Sequence, residues 1–517
     1  MKHHSLWFLL LLGGIQTLWA QGPQITKGPV MTDNGNSYYF LRGLIEGAEG
    51  KFYSFDFDQE RSKYVLDLEE FGADLKLNDQ FKIDVRPPDG YKYDFEYSRF
   101  IQLEGRHYLI LGSYDKKNRL VRIHTQEVDL QARKLVGQIR EVGSLPGLPK
   151  QQDIKLSLQF SRNKSKLLIY SELEGGGYFV ENRLMGKDKK DLSVHFLVFD
   201  GALAPLWQYN LSLPEIDAGY GFMEPIVSDE GKVAWIRYQS VAEGRNSLRQ
   251  EVIAHRIVQG KELPLIDLSQ RGRWLGQAAY DFLPSGELVC SGYYGDEDRN
   301  FKGVFYNKYS ATSAEPIISQ FELAEDNEDF QIDGADRLRA GNLLVNDLVL
   351  KKDGGLVFIS QVVGKSSYTY ESANMEFSRT NFLYKDLVLV SMDPEGFIDW
   401  TERLPIPEQA TGFSLSKMYS MAIFPEQIVF FLTQTPDMSH LSGVEITRFV
   451  LSEEYANQLE IEMMTVSLDG EQERMTVMGA DETGHAVNYL APVLQSGRSV
   501  ILQTAAYKSP QFIKLEF

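Results

Sequence analysis

One pattern recurs through almost the whole chain and limits its fold more than any other feature. A turn rich in Gly, Asp, Ser or Pro is followed by a strand of apolar and aromatic residues. Seven segments share this grammar: "LEGRHYLILGSY" from Leu103, "SRNKSKLLIYSEL" from Ser161, "SDEGKVAWIRYQ" from Ser228, "PSGELVCSGYY" from Pro284, "KKDGGLVFISQV" from Lys351, "FPEQIVFFLTQ" from Phe424 and "QSGRSVILQTA" from Gln495. Another strand-like run precedes each, such as "MEPIV" before Ser228, so each segment reads as a β-hairpin. The spacing, about 55 to 72 residues, is that of a structural repeat rather than of separate domains.

A second hairpin sits between these. "LVRIHTQEVDLQARKLVGQI", "VHFLVFDGALAPLWQYNL", "EVIAHRIVQGKELPLIDL", "GVFYNKYSATSAEPIISQFEL", "LVLVSMDPEGFIDWTERLP" and "VEITRFVLSEEYANQLEIEMM" belong to it, and "KFYSFDFDQERSKYVLDLEEF" near the N-terminus makes seven. Each unit then holds four antiparallel strands, A-B and C-D. Four-stranded sheets repeated radially are the blades of a β-propeller, which hides sheet edges by closing into a ring. The expected fold is an all-β propeller with seven blades favoured, the last built jointly by both termini. Eight is the alternative, if "SYYFLRG" (Ser37 to Gly43) and "QFIKLEF" (Gln511 to Phe517) contribute strands of their own. Trp207 and Trp400 fall four residues before Leu211 and Leu404 in two outer hairpins, a repetition that places them between adjacent blades.

"DLVLVSMDPEGFIDWTERLP" joins a strand, an Asp-Pro-x-Gly turn, a Trp and a basic residue before Leu-Pro. With these features the stretch from Leu356 to Pro405 resembles a group of secreted, uncharacterised bacterial proteins with propeller-like repeats. The resemblance implies export and repeat architecture, and it brings no catalytic residues. "SMDPEGFIDW" is also similar to the Asp-box of sialidases, but an extra residue separates Asp393 from Gly396, and Ile398 replaces the Thr.

The first residues, "MKHHSLWFLLLLGGIQTLWAQG", have the anatomy of a secretory signal peptide over 1–20, with a basic Lys2, an apolar run and small Ala20. The expected mature protein is one propeller domain over 21–517, exported to the periplasm or beyond. No later stretch reaches the ~18 apolar residues of a transmembrane helix. Lys plus Arg number 53 against 72 Asp plus Glu, a net charge of −19. That field repels phosphate backbones and anionic lipid, which excludes nucleic acid as the expected partner. Cys290 is the single cysteine, so no intramolecular disulfide forms; its strand-like setting reads as a buried small hydrophobe.

Motifs for chemistry are few. No nucleophile elbow or phosphate loop is present, and no cofactor is expected. His124, His195 and His255 occupy similar places in three C strands, which reads as a repeat position rather than a metal site. "DNEDFQIDGADR" has Ala340 where a calcium loop from Asp329 needs Glu, and reads as a solvated acidic loop. Loops held by a rigid ring are the better place for function. The B-C connections share one face, and four are notable: Glu174 to Asp191, Val241 to Gln250, Gly295 to Asn300, and Gly364 to Lys385. The last is dense in aromatic residues and holds an Arg, the types enriched at binding hot spots. The residues expected to touch a protein or glycan partner are Tyr178, Arg183, Arg245, Tyr368, Tyr370, Arg379 and Tyr384. A non-enzymatic monomer with this binding face is the favoured reading. The rival is an extracellular carbohydrate hydrolase or lyase using Asp296, Glu297 and Asp298 in the funnel.

Overall fold

The computed structural model describes residues 23–31, 43–60, 63–86, 95–146, 156–173, 190–216, 220–242, 248–324, 327–330, 342–372, 375–406, 409–411, 417–434, 459–479, 486–487, 493–505 and 511–517. The expected signal peptide lies outside them.

The described strands form eight antiparallel sheets, the blades of a β-propeller. Blade 1 runs Gly43–Glu46, Phe52–Glu60, Lys63–Phe71 and Leu77–Val85 from strand A to strand D. Blade 2 covers Phe95–Leu103 to Lys134–Pro146, and blade 3 Ser157–Phe160 to Pro205–Ile216. In blade 4 strands A and D are each split in two, Tyr220–Phe222 with Ile226–Val227 and Lys261–Glu262 with Ile266–Asp267. Blade 5 spans Trp274–Phe282 to Pro316–Leu323, blade 6 Leu343–Leu350 to Ile398–Leu404, and blade 7 Ser420–Ile423 to Gln472–Met478. Blade 8 takes Leu494–Ser496, Ser499–Ala505 and Gln511–Glu516 from the C-terminus and Gln24–Lys27 from the N-terminus, with Gln24 opposite Glu516.

Strands B and C are sandwiched between neighbouring blades, so both of their faces are buried. They therefore carry continuous apolar runs instead of alternation. "LVFI" at Leu356–Ile359 and "VFFL" at Val429–Leu432 are wholly withdrawn from solvent. Eight hydrophobic clusters fill the junctions, one between each successive pair of blades, including Leu44, Phe52 and Phe71 of blade 1 against Ile501 and Phe512 of blade 8. The ring is thus closed by packing as well as by the joint strand pairing.

The turns reflect composition. In blade 6 the Asp393 carboxylate accepts the backbone N–H of Glu395 at 3.0 Å and of Phe397 at 2.8 Å, while Gly396 sits at φ 91°. A left-handed residue closing a short turn sets the strands to the twist of the sheet, and glycine takes that φ without strain.

Two corrections change the blade count and one hairpin. "KFYSFDFDQERSKYVLDLEEF" is strands B and C of blade 1, not an outer C-D pair. Its A strand is only Gly43–Glu46 and its D strand is Leu77–Val85, so a full blade stands where half a blade is expected. The ring therefore has eight blades, and "QFIKLEF" supplies strand C of the last. In blade 7 the outer hairpin is Glu460–Ser467 with Gln472–Met478, turning at Leu468, Asp469 and Gly470. Most of the expected hairpin from Val444 lies outside the described residues.

Candidate functional site

Antiparallel connectivity puts every B-C turn and every D-A connection on one face, and every A-B and C-D turn on the other. Among the described residues, the first face carries the largest departure from the blade plan. Strands B and C of blade 6, Leu356–Ser372 and Met375–Met392, continue past the blade as a paired ribbon. The segment expected as a loop from Gly364 to Lys385 is thus mostly β-structure. Its ladder runs from Val363 opposite Tyr384 to Ser372 opposite Met375. Ten residues on one strand at ~3.3 Å each give an arm of about 30 Å.

The root of this arm is braced. Register shifts between Gln361 and Val363, so Lys385 and Asp386 form a bulge on strand C. A bulge bends its strand and re-aims the residues beyond the bend. Several side chains and carbonyls around it are tied down. The Gln361 amide donates to the Lys385 carbonyl at 3.2 Å, and its oxygen accepts the Met418 N–H of blade 7 at 2.9 Å. The Asp386 carboxylate accepts Arg403 Nε at 2.6 Å and the Ile406 N–H at 3.1 Å. Asn342 donates to the Val363 carbonyl at 3.1 Å. A short strand, Gln409–Thr411, pairs with Phe382–Tyr384 at the base.

The register sorts the arm's positions. Tyr368 stands opposite Arg379 and Tyr370 opposite Phe377, and Ser372 opposite Met375 closes the same row. Positions 366, 368, 370, 372, 375, 377, 379 and 381 therefore share one ribbon face, holding two Tyr, a Met, a Phe and an Arg with two Ser and an Asn. The other face takes Val363, Lys365, Ser367, Thr369, Glu371, Glu376, Ser378, Thr380 and Phe382. Tyr384 belongs to that second row and is 1% exposed, so it anchors the root and presents no surface to a partner. Tyr178, Arg183 and Arg245 lie outside the described residues.

The carboxylates of the enzymatic reading occupy a single tight turn. Asp296 N donates to the Asn300 carbonyl at 3.0 Å, and the Asp296 carboxylate accepts the Asn300 N–H at 2.9 Å and its amide at 3.1 Å. Desolvation pushes the Asp296 carboxyl upward, but the Asn300 bonds outweigh it and hold the group below its ordinary range. Glu297 and Asp298 are exposed, and Arg299 lies 4.1 Å over the Trp274 ring. Three neighbours in one turn are not an opposed pair.

Sequence reasoning passes over a different carboxylate. Asp281, on the innermost strand of blade 5, meets Arg162 from the A-B turn of blade 3 at 2.5 Å, and burial pushes its carboxyl above the usual range. Beside it, Asp229 accepts from the Asn163 amide at 2.8 Å and the Ser165 hydroxyl at 3.0 Å. No short motif marks Asp281, because its partner comes from a blade two positions away.

The histidines hold separate local bonds. His124 Nε2 meets Ser113 Oγ at 3.4 Å, His195 Nδ1 meets Asn210 Oδ1 at 2.6 Å, and His255 Nδ1 meets Glu262 Oε1 at 2.6 Å. Among the described residues no cluster of His, Cys, Asp and Glu is arranged to hold a metal ion. Of the acidic loop, Asp329 is described, and its carboxylate accepts from the Thr401 hydroxyl. Cys290 is buried, which pushes its thiol up to about 12. Among the described residues no helix is long and apolar enough to cross a membrane.

No protein-family model and no curated protein matches the sequence. Solved structures do match in shape. The chain is similar to the Dos1 propeller at 9% identity and a TM-score of 0.40, over 95% of each chain. It is similar to the polysaccharide lyase Uly1 at 9% identity and a TM-score of 0.36, over 83% of this chain and 93% of that one. Prolyl oligopeptidase B from Galerina marginata is similar at 9% identity and a TM-score of 0.38, over 90% of this chain and 55% of that one. Likenesses this distant say nothing of activity.

Proposed function

We propose that the chain is an exported, non-enzymatic propeller that binds a protein or glycan partner on the B-C face, with the blade 6 arm as its main contact. The observation that carries this reading is the arm's two-sided pattern on a braced root. A two-stranded ribbon cannot bury an apolar face by itself. Tyr, Phe, Met and Arg on one row are the residue types enriched at interfaces. A bulge tied through Gln361, Asp386 and Asn342 holds the ribbon's root in place, which lowers the ordering cost of binding. Tyr368, Tyr370 and Arg379 are the contact residues of this proposal, with Tyr178, Arg183 and Arg245 kept from the sequence reading. Export rests on the signal-peptide anatomy of residues 1–20, and places the protein in the periplasm or outside the cell.

A carbohydrate hydrolase or lyase is the second reading. Asp281 favours it, as a carboxyl on an innermost strand whose pKa burial raises. A panel of extracellular glycans, read by array binding and by release of reducing ends, tests both readings. Binding that is lost with Tyr368→Ala and Tyr370→Ala, without turnover, supports the binding propeller. Turnover abolished by Asp281→Asn supports the enzyme instead.

A further inference from the structure

The blade 3–4 junction contains a polar chain that neither reading uses. His255, on strand C of blade 4, is 1% exposed. Its Nδ1 lies 2.6 Å from Glu262 Oε1 on strand D, and Arg237 Nε of strand B donates to its Nε2 at 3.2 Å. Glu262 in turn accepts the Tyr209 hydroxyl of blade 3 at 3.1 Å. These partners fix the tautomer. A carboxylate only accepts, so Nδ1 carries the proton, and a guanidinium only donates, so Nε2 must offer its lone pair.

We propose that His255 is an acid-operated switch that repositions Arg237 within blade 4. A proton taken from the medium adds to the Nε2 lone pair, and the ring then donates from both nitrogens. Arg237 loses its acceptor and faces a second cation at the same contact. The nearest alternative carboxylate for Arg237 is Glu251, whose oxygen is already 3.9 Å from Nη1 and which also accepts the Gln239 amide. Moving to Glu251 draws Arg237 along strands B and C toward the B-C face, because Gln239 and Glu251 are paired two residues further that way.

The elements packed around the ring each supply a neighbour. Strand B contributes Arg237 and the Trp235 ring, whose centroid is 5.3 Å away. Strand D contributes Glu262, strand C contributes Glu251 at one remove, and blade 3 contributes Tyr209. Strand A offers Phe222, packed on Trp235 at 5.8 Å. Desolvation keeps the ring neutral at pH 7, opposed by Glu262 and reinforced by Arg237. His124 and His195 stand in different settings, His124 beside the Ser113 hydroxyl and His195 beside the Asn210 amide.

The test needs no substitution at first. In a chain labelled with ¹⁵N at histidine and arginine, long-range proton–nitrogen spectra are followed from pH 8 downward. His255 should show the Nδ1–H neutral form at pH 8 and titrate below 6.5, and the Arg237 Nε–H signal should move with the same midpoint. Arg237→Met should raise that midpoint, and His255→Gln should abolish the Arg237 step. An Arg237 signal that is unmoved while His255 titrates overturns the proposal. So does an unchanged midpoint in Arg237→Met, or a ring that stays neutral until the chain unfolds.

Discussion

Trp400 of blade 6 donates its indole N–H to the Leu468 carbonyl of blade 7 at 3.0 Å, and Trp207 of blade 3 does the same to the Gly231 carbonyl of blade 4 at 3.1 Å. Each indole lies on an outer strand and reaches a glycine-bearing turn of the next blade. A Cβ at Gly470 would stand 3.1 Å from the Trp400 ring, at a φ of 93°. This is the physical meaning of the repeat between the two outer hairpins. Trp400→Ala should cost about 2–3 kcal/mol through lost packing and the lost hydrogen bond, and Trp400→Phe about 1 kcal/mol. Urea midpoints of the two variants separate the contributions, and equal losses would mean that the hydrogen bond alone matters.

A second clasp joins blades 4 and 5. Arg256 is 2% exposed and donates to the Ser310 carbonyl at 2.6 Å and the Ser313 carbonyl at 2.8 Å. Burial lowers its pKa, yet it stays charged because the group starts so high. Arg256→Ala leaves two carbonyls without donors and a cavity beside Tyr309. A loss of about 3 kcal/mol is expected, with faster amide exchange at 310–315 before the rest of the ring.

Ring closure can be locked. Thr26 and Lys514 are directly opposed in blade 8. A disulfide between Thr26→Cys and Lys514→Cys joins the two ends of the ring and should stabilise the fold by about 2–4 kcal/mol. The reduced variant serves as control. Cys290, with its thiol pushed up to about 12, should resist alkylation at pH 8 until denaturant is added.

Stability should also fall on mild acidification. Burial lowers the pKa of His124 and of His195 below the ordinary 6.5. The unfolded chain then binds more protons than the folded one between the folded pKa values and 6.5. The stability held above 6.5 is therefore lost as pH falls through that window. Urea midpoints at pH 7.5 and 5.5 measure it, and equal midpoints would contradict the burial argument.

Much of the ring is legible in the residues, because buried B and C strands need unbroken apolar runs such as "VFFL" and the turns need Asp and Gly at fixed places. The blade count is harder. Gly43–Glu46 offers only Leu44 and Ile45 as a buried signal, and the hairpin from Phe52 to Phe71 has the same two-strand grammar whether it is inner or outer. The arm reads as a loop in sequence because Gly364, Ser366 and Ser367 break the apolar run. Its period-two alternation, Tyr368 and Tyr370 against Phe377 and Arg379, is nevertheless present, and register turns it into a face. The ties that hold its root, Gln361 to Met418 and Asp386 to Arg403, join residues far apart in sequence and leave no local motif.

The brace itself makes a prediction. Asp386→Asn removes the charge facing Arg403 in a largely buried setting, and a local loss of about 2–3 kcal/mol is expected. Amide exchange should accelerate along 363–384 and stay unchanged in blades 1 to 4.

The most direct measurement compares the wild-type chain with one in which residues 366–381 are replaced by Asn-Gly, joining the opposed pair Lys365 and Phe382. Both are screened for thermal shift against a panel of extracellular glycans and cell-envelope proteins. A ligand at a hundredfold excess over its dissociation constant adds about 2.7 kcal/mol to apparent stability. The binding-propeller account predicts a shift in the wild type that the trimmed chain loses while keeping its own fold. A ligand that shifts both chains equally would place the site elsewhere and contradict it.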